Sequence, residues 1–182
     1  MSPPFTLRLV NAIDALNERI GRAIAWLTLI MVVVTFAVVV LRYGFNLGWI
    51  AMQESITYMH AAVFMLGAGY TLLHDGHVRV DIFYRGMNAK RKAAIDLFGA
   101  LFLLLPTFVF IAWVSWEYVA DAWAVHEGSA ETGGIPYRYL LKTVIVLMPA
   151  LMILQGLAQA LRSLLVMTGA IEPVIEPMHE EV

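Results

Sequence analysis

Three groups of residues have the types and spacing for chemistry. Glu117 and Asp121 stand four apart, one helical turn, and His126 follows closely. Two carboxylates and an imidazole at one helix end suit general acid–base work or a hard cation. No third positioned group accompanies them, so a solvated acidic face, continued by Glu127 and Glu131, explains them better. His60 is a lone imidazole inside an apolar run. It can act as ligand or proton relay, or bond a neighbouring helix, the commoner use in helix bundles. Arg42 and Glu54 flank a short connection and can pair across it, or reach water separately. The chain has no cysteine, which excludes disulfides, thiolate metal sites and cysteine nucleophiles.

The elements that position these groups are apolar. Of 182 residues, 60% are hydrophobic and 14% charged, where a soluble domain carries about a quarter charged. Four windows lack any Asp, Glu, Lys or Arg: Ala23–Leu41, Ser55–Leu73, Leu97–Trp116 and Thr143–Leu161. Each is about the 20 residues that cross a hydrocarbon core about 30 Å thick at 1.5 Å per residue. Ile30–Val40 and Ala100–Trp113 are apolar all round, unlike an amphipathic helix of a soluble bundle. The expected fold is an all-α membrane protein with four transmembrane helices at about 23–45, 50–73, 89–124 and 137–162. These form one domain over 1–165, followed by a mobile acidic tail, 166–182. Phe5, Leu9, Ile13, Leu16 and Ile20 recur at helical spacing opposite Asn11, Asp14, Glu18 and Arg22. They predict an amphipathic helix at the membrane surface, or an extension of the first span.

Local chemistry sets the boundaries. Asn88 is placed to cap the third span, Gly133-Gly134 break the loop before the fourth, and Pro136 suits that helix's first turn. Pro106 and Pro149 predict kinks. The sequence 74–83, HDGHVRVDIF, alternates apolar Val78, Val80 and Ile82 with His77, Arg79 and Asp81. It reads as an extended segment with one apolar face or, with Asp81 as cap, a short helix. Lys and Arg number nine on the side of the termini and three on the other, which predicts both termini in the cytoplasm. Trp49, Trp113, Trp116, Trp123, Tyr118 and Tyr137 gather at the opposite ends of the spans, as interface aromatics do. Arg42 and Glu54 then lie at matched depth, about 27 and 28 Å along their helices, which favours their pairing.

A carrier needs polar groups at mid-membrane, and the spans offer few beyond Thr35, Thr57, Tyr58, His60, Gln155 and Gln159. A supporting subunit fits better than a complete transport path. Gly67, Ala68, Gly69 and the pair Gly156/Ala160 are candidate helix contacts. Two other readings stand beside it. A haem anchor needs histidines facing across spans, and only His60 lies within one; a free-standing small channel or carrier needs oligomerisation to line a pore. The net charge of −2 points away from nucleic acid.

With these residues in view, the chain resembles the small permease subunit (DctQ-type) of tripartite ATP-independent periplasmic (TRAP) transporters. The resemblance spans about Arg19 to Arg162. It rests on Arg42, Trp49 with Gln53-Glu54, Leu66-Gly67-Ala68, Gly76-His77-Val78-Arg79-Val80-Asp81 and Thr132-Gly133-Gly134-Ile135-Pro136. Gln53 departs from it, since many relatives carry a second glutamate there. The resemblance implies a non-enzymatic scaffold in the bacterial inner membrane. Its partners would be a large subunit that moves as an elevator, a periplasmic substrate-binding protein and the lipid bilayer. It implies uptake of an organic anion such as a dicarboxylate or sugar acid by sodium symport, with sodium held in the large subunit and no cofactor in this chain. Glu127, Glu131 and Arg138 are the expected contacts to the binding protein.

Overall fold

The computed structural model describes residues 5–78, 84 and 86–172, and among these it is helical without a strand. The elements are α1 (Phe5–Phe45), α2 (Ile50–Leu66), α3 (Ala68–Leu73), α4 (Ala89–Gly99), a π-helical turn (Ala100–Leu104), α5 (Leu105–Ala124) and α6 (Arg138–Met167). α2 runs into α3 at Gly67, and α4 into α5 through the π turn. Four helices therefore have the length and apolarity to cross a membrane: 5–45, 50–73, 89–124 and 138–167.

α6 is the axis of the bundle, packing against every other helical element. In its most apolar window 44% of residues are buried, against none in that of α1. The apolar side chains of α1 and α5 therefore point outward, as they do where lipid replaces water. Small residues let the helices meet. A Cβ on Gly156 would lie 2.4 Å from Leu104 Cδ2, and one on Gly21 2.2–2.7 Å from Tyr70.

Three local devices shape the helices. Asn88 caps α4 as expected, its Oδ1 accepting from Arg91 N at 2.9 Å. Pro106 has no N–H, and its ring crowds the carbonyl four residues back. The π turn just before it, closed by Leu105 N to Ala100 O, is the local answer. Asp75 ends α3 in a left-handed conformation (φ 53°), and Gly76 N then reaches back to Thr71 O at 2.9 Å.

The N-terminal stripe is a continuous part of α1, not a separate helix. Forty-one residues make about 61 Å, twice a hydrocarbon core. Val10, Ile13, Asn17 and Gly21 are its buried face, and Phe5, Leu9 and Leu16 are exposed. The face turned to the protein is thus mixed, apolar Val10 and Ile13 beside Asn17 and Gly21, while Asn11 and Arg22 of the polar stripe are exposed. α6 begins at Arg138, so Pro136 lies just ahead of the helix instead of in its first turn. Of the segment 74–83, Arg79, Val80, Asp81, Ile82 and Phe83 lie outside the described residues; His77 and Val78 are exposed. The tail from 173 onward also lies outside them.

Candidate functional site

At the end of the bundle where α2 begins and α5 gives way to α6, one carboxylate organises a loop. Glu54, in the second turn of α2, accepts from Ser129 Oγ and from Ile135 N (2.6 Å). Ser129 Oγ also accepts from Glu131 N at 3.1 Å, Ser129 N donates to Ile135 O at 3.1 Å, and Gly134 N to Glu131 O at 3.0 Å. The 129–135 loop is thereby wound round a side chain from another helix, which with the loop's own bonds satisfies the backbone donors of Ser129, Glu131, Gly134 and Ile135. Both glycines are needed. Gly133 sits at φ +82°, and a Cβ on Gly134 would lie 2.3 Å from Ser129 Oγ and 2.7 Å from Glu54 Oε2. A Gly-Gly-Ile sequence opposite a helix-borne Glu is thus one structural unit.

A comparison with protein-family models now bears on this unit. The model described as "Tripartite ATP-independent periplasmic transporters, DctQ component" matches residues 31–166. The chain belongs to this DctQ family. No curated protein and no solved structure matches it.

In this DctQ chain a second brace stands beside the first. Glu127 pairs with Lys142, and Arg138 Nε lies 4.0 Å from the same carboxylate. Lys142 Nζ also sits 3.9 Å over the Tyr118 ring, and Tyr139 N donates to Glu127 O at 3.1 Å. Trp123 donates to Thr143 Oγ1 at 2.9 Å and meets Tyr139 edge-on at 4.7 Å. A cleft of about 180 Å³ lies below, lined by Glu54, Thr57, Tyr58, Ser129, Arg138 and Leu141.

The expected Arg42–Glu54 pair does not form. Glu54 is engaged by the loop, and Arg42 is exposed in the last turn of α1, where a cation complements the helix dipole. Matched depth fixes a height in the membrane but not a direction round the helix. Trp49 precedes α2 as an exposed residue, as expected of an interface aromatic. Of the three residues expected to meet a binding protein, Glu127 is turned into the brace, while Glu131 and Arg138 are exposed. Glu117 and Asp121 are exposed on α5, and His126 packs edge-on to Tyr139 at 5.7 Å.

The opposite end carries a polar junction. Gln155 sits at its centre, its Oε1 accepting from Asn17 Nδ2 (2.7 Å) and its Nε2 donating to Asp14 Oδ1 (2.9 Å). Arg162 closes the set on Asp14 Oδ2 at 2.5 Å. Gln155 and Asn17 are buried, and a Cβ on Gly69 would lie 2.3 Å from Asn17 Oδ1. Glu18 beside it takes Arg22 Nε at 2.6 Å and His74 Nε2 at 3.3 Å. Asn17 and Ser129 escaped the sequence reading, and Arg162 entered it only as a topological charge. The usable signal was Gln155, an amide inside an apolar run, whereas Asn17 stands among Asp14, Glu18 and Arg19 and gave none.

Proposed function

We propose that this chain is the scaffold of a TRAP transporter. It would hold the static part of a large sodium-coupled elevator subunit in the bacterial inner membrane while that subunit imports an organic anion. The basic end, with Arg19, Arg22, Lys90, Arg91, Lys92 and Arg162, faces the cytoplasm in this reading. The Glu54 loop and the aromatic residues face the periplasm, where Glu131 and Arg138 are available to a substrate-binding protein.

One observation carries the reading within the family. At the two ends of the bundle polar groups are spent on the protein itself: Asp14, Asn17, Gln155 and Arg162 tie α1 to α6, and Glu54 ties α2 to the loop ahead of α6. A carrier instead aims such groups at a solute near the midplane. Cross-tied at both ends, this bundle is suited to stay still while a neighbour moves.

The test is affinity purification of the tagged chain from native membranes in mild detergent, with mass spectrometry. The expected result is a stoichiometric, larger polytopic protein, whose sodium-dependent uptake of an organic anion is lost when this chain is deleted. Recovery of the chain alone, or unchanged uptake after deletion, overturns the proposal.

A further inference from the structure

The outward faces of the four helices differ in chemistry. α1 presents Leu29, Ile30, Val32, Val33, Phe36 and Val39, all exposed. The π turn and α5 present Leu101, Phe102, Leu103, Val109, Phe110 and Val114. Both faces are hydrocarbon and match lipid. On α2, positions 53, 57, 60 and 64 recur at spacings of 4, 3 and 4 and so share one face. They are Gln53, Thr57, His60 and Phe64, and the last three are exposed.

His60 comes ten residues after the start of α2, about 15 Å, half the thickness of the hydrocarbon. Its ring stacks on Phe64 at 6.3 Å, and its nitrogens bond no described residue. Thr28 and Thr35 of α1 return their hydroxyls to Ala25 O and Met31 O. The hydroxyl of Thr57 bonds no described residue, and neither does the side-chain amide of Gln53. An imidazole aimed out of the bundle at mid-depth is costly in lipid, where neither water nor backbone completes its hydrogen bonds. It is favourable where a second helix supplies the missing group. At the loop end the stripe continues into the Glu54–Arg138 cleft, because Thr57 lines both.

We propose that the Gln53–Thr57–His60–Phe64 face of α2 is where this chain meets the large membrane subunit. The contact is a transmembrane helix of that subunit offering a hydrogen-bonding side chain to His60 at mid-depth, while α1 and α5 face lipid. This rests on the reading above that a larger membrane subunit is the partner.

Photo-crosslinking in native membranes tests it, with benzoylphenylalanine placed singly at positions 57, 60, 64, 33 and 102 of the tagged chain. The expected result is an adduct with the mass of this chain plus a larger polytopic protein from 57, 60 and 64, and none from 33 or 102. Adducts from 33 or 102 instead overturn the assignment of the face. So does an adduct of two copies of this chain from 60, or an absence of protein adducts from 60 and 64 while the larger protein still co-purifies. If no larger protein co-purifies with the unaltered chain, the scaffold reading itself fails. His60→Leu and His60→Gln test the hydrogen bond, with gel filtration to check folding. Leu is expected to lower recovery of the larger subunit about three- to tenfold, the range of an interhelical hydrogen bond, and Gln to restore most of it. Full recovery with Leu overturns the role of the imidazole.

Discussion

The two ends of the bundle are held by polar groups of similar number but different kind. At the basic end, side chains bond side chains: Asn17 to Gln155, Gln155 to Asp14, Arg162 to Asp14. These bonds join helix to helix, and glycines bring the backbones close, with Gly21 under Tyr70 and Gly69 against Asn17. At the loop end a side chain serves mostly backbone, as Glu54 gathers Ile135 N and, through Ser129, Glu131 N. The first arrangement fixes how helices cross and so bears on the whole fold. The second fixes the shape of one exposed connection. Damage to the basic end should therefore spread, and damage to the loop end should stay local.

The hardest test of that contrast is Gly21→Leu. A Cβ there would already fall 2.2 Å from Tyr70 Cδ2 and 2.7 Å from its Cβ. The latter atom cannot swing away, so α1 and α3 must separate. Overpacking of a close contact costs about 1–3 kcal/mol or more, and this substitution belongs at the upper end. The expected outcome is a large drop in the thermal midpoint of the detergent-purified protein, with loss of monodisperse material on gel filtration. An unchanged midpoint would mean that the α1–α3 crossing does not depend on that glycine.

Gln155→Leu comes next. It keeps the volume but removes the partners of Asn17 Nδ2 and Asp14 Oδ1 together. Asn17 is then left with a 3.4 Å contact to Ile13 O. A buried polar group left unpaired costs about 1–3 kcal/mol, so the midpoint should fall less than in Gly21→Leu. The double variant Gln155→Leu/Asn17→Leu, which removes both partners, is expected to lose less than the sum of the single losses. Additive losses would show that the two amides do not act as a pair.

Gly134→Val brings the comparison to the other end. Its Cβ would meet both Ser129 and Glu54, so the loop should leave the carboxylate. The expected readout is much faster cleavage between 125 and 137 by protease added on the loop side, with a smaller change in thermal midpoint than Gln155→Leu gives. A midpoint loss equal to that of Gly21→Leu would erase the distinction between the two ends.

Much of the fold was legible because lipid imposes a simple rule. Charge-free runs of about 20 residues can be counted without knowing any contact, and all four helices lie where the runs placed them. Asn88 was legible as a cap because capping is local. Gly133 and Gly134 were legible as a break, but not as the mould for a carboxylate, since Glu54 arrives from 80 residues upstream. The face that α1 turns to the protein was not legible either. In a membrane apolar residues suit both sides of a helix, so the buried stripe is marked by Asn17 and Gly21 instead of by hydrophobicity. Asn17 and Gln155 meet across 138 residues of sequence, and no local pattern pairs them. The His77–Asp81 segment, the most distinctive text in the sequence, lies mostly outside the described residues.

The smallest expected effect separates Glu54 from Arg42, the two charges whose spacing suggested a pair. Glu54→Gln keeps the shape of the side chain but replaces one acceptor with a donor. The amide oxygen can still accept from Ile135 N, but the amide nitrogen facing Ser129 Oγ can only donate to it, so the Ser129 hydroxyl proton loses its acceptor. The loop should be cleaved several-fold faster than in the unaltered chain, with the thermal midpoint nearly unchanged. Arg42→Ala should alter neither readout, because Arg42 is exposed and Glu54 is held by the loop. If Arg42→Ala loosened the loop as much as Glu54→Gln, the two charges would be coupled after all, through the potential at the membrane surface instead of a contact. Raising the salt concentration would distinguish that case. A screened coupling fades as the Debye length falls from about 10 Å at 0.1 M to about 3 Å at 1 M, whereas a hydrogen-bonded carboxylate keeps its partners.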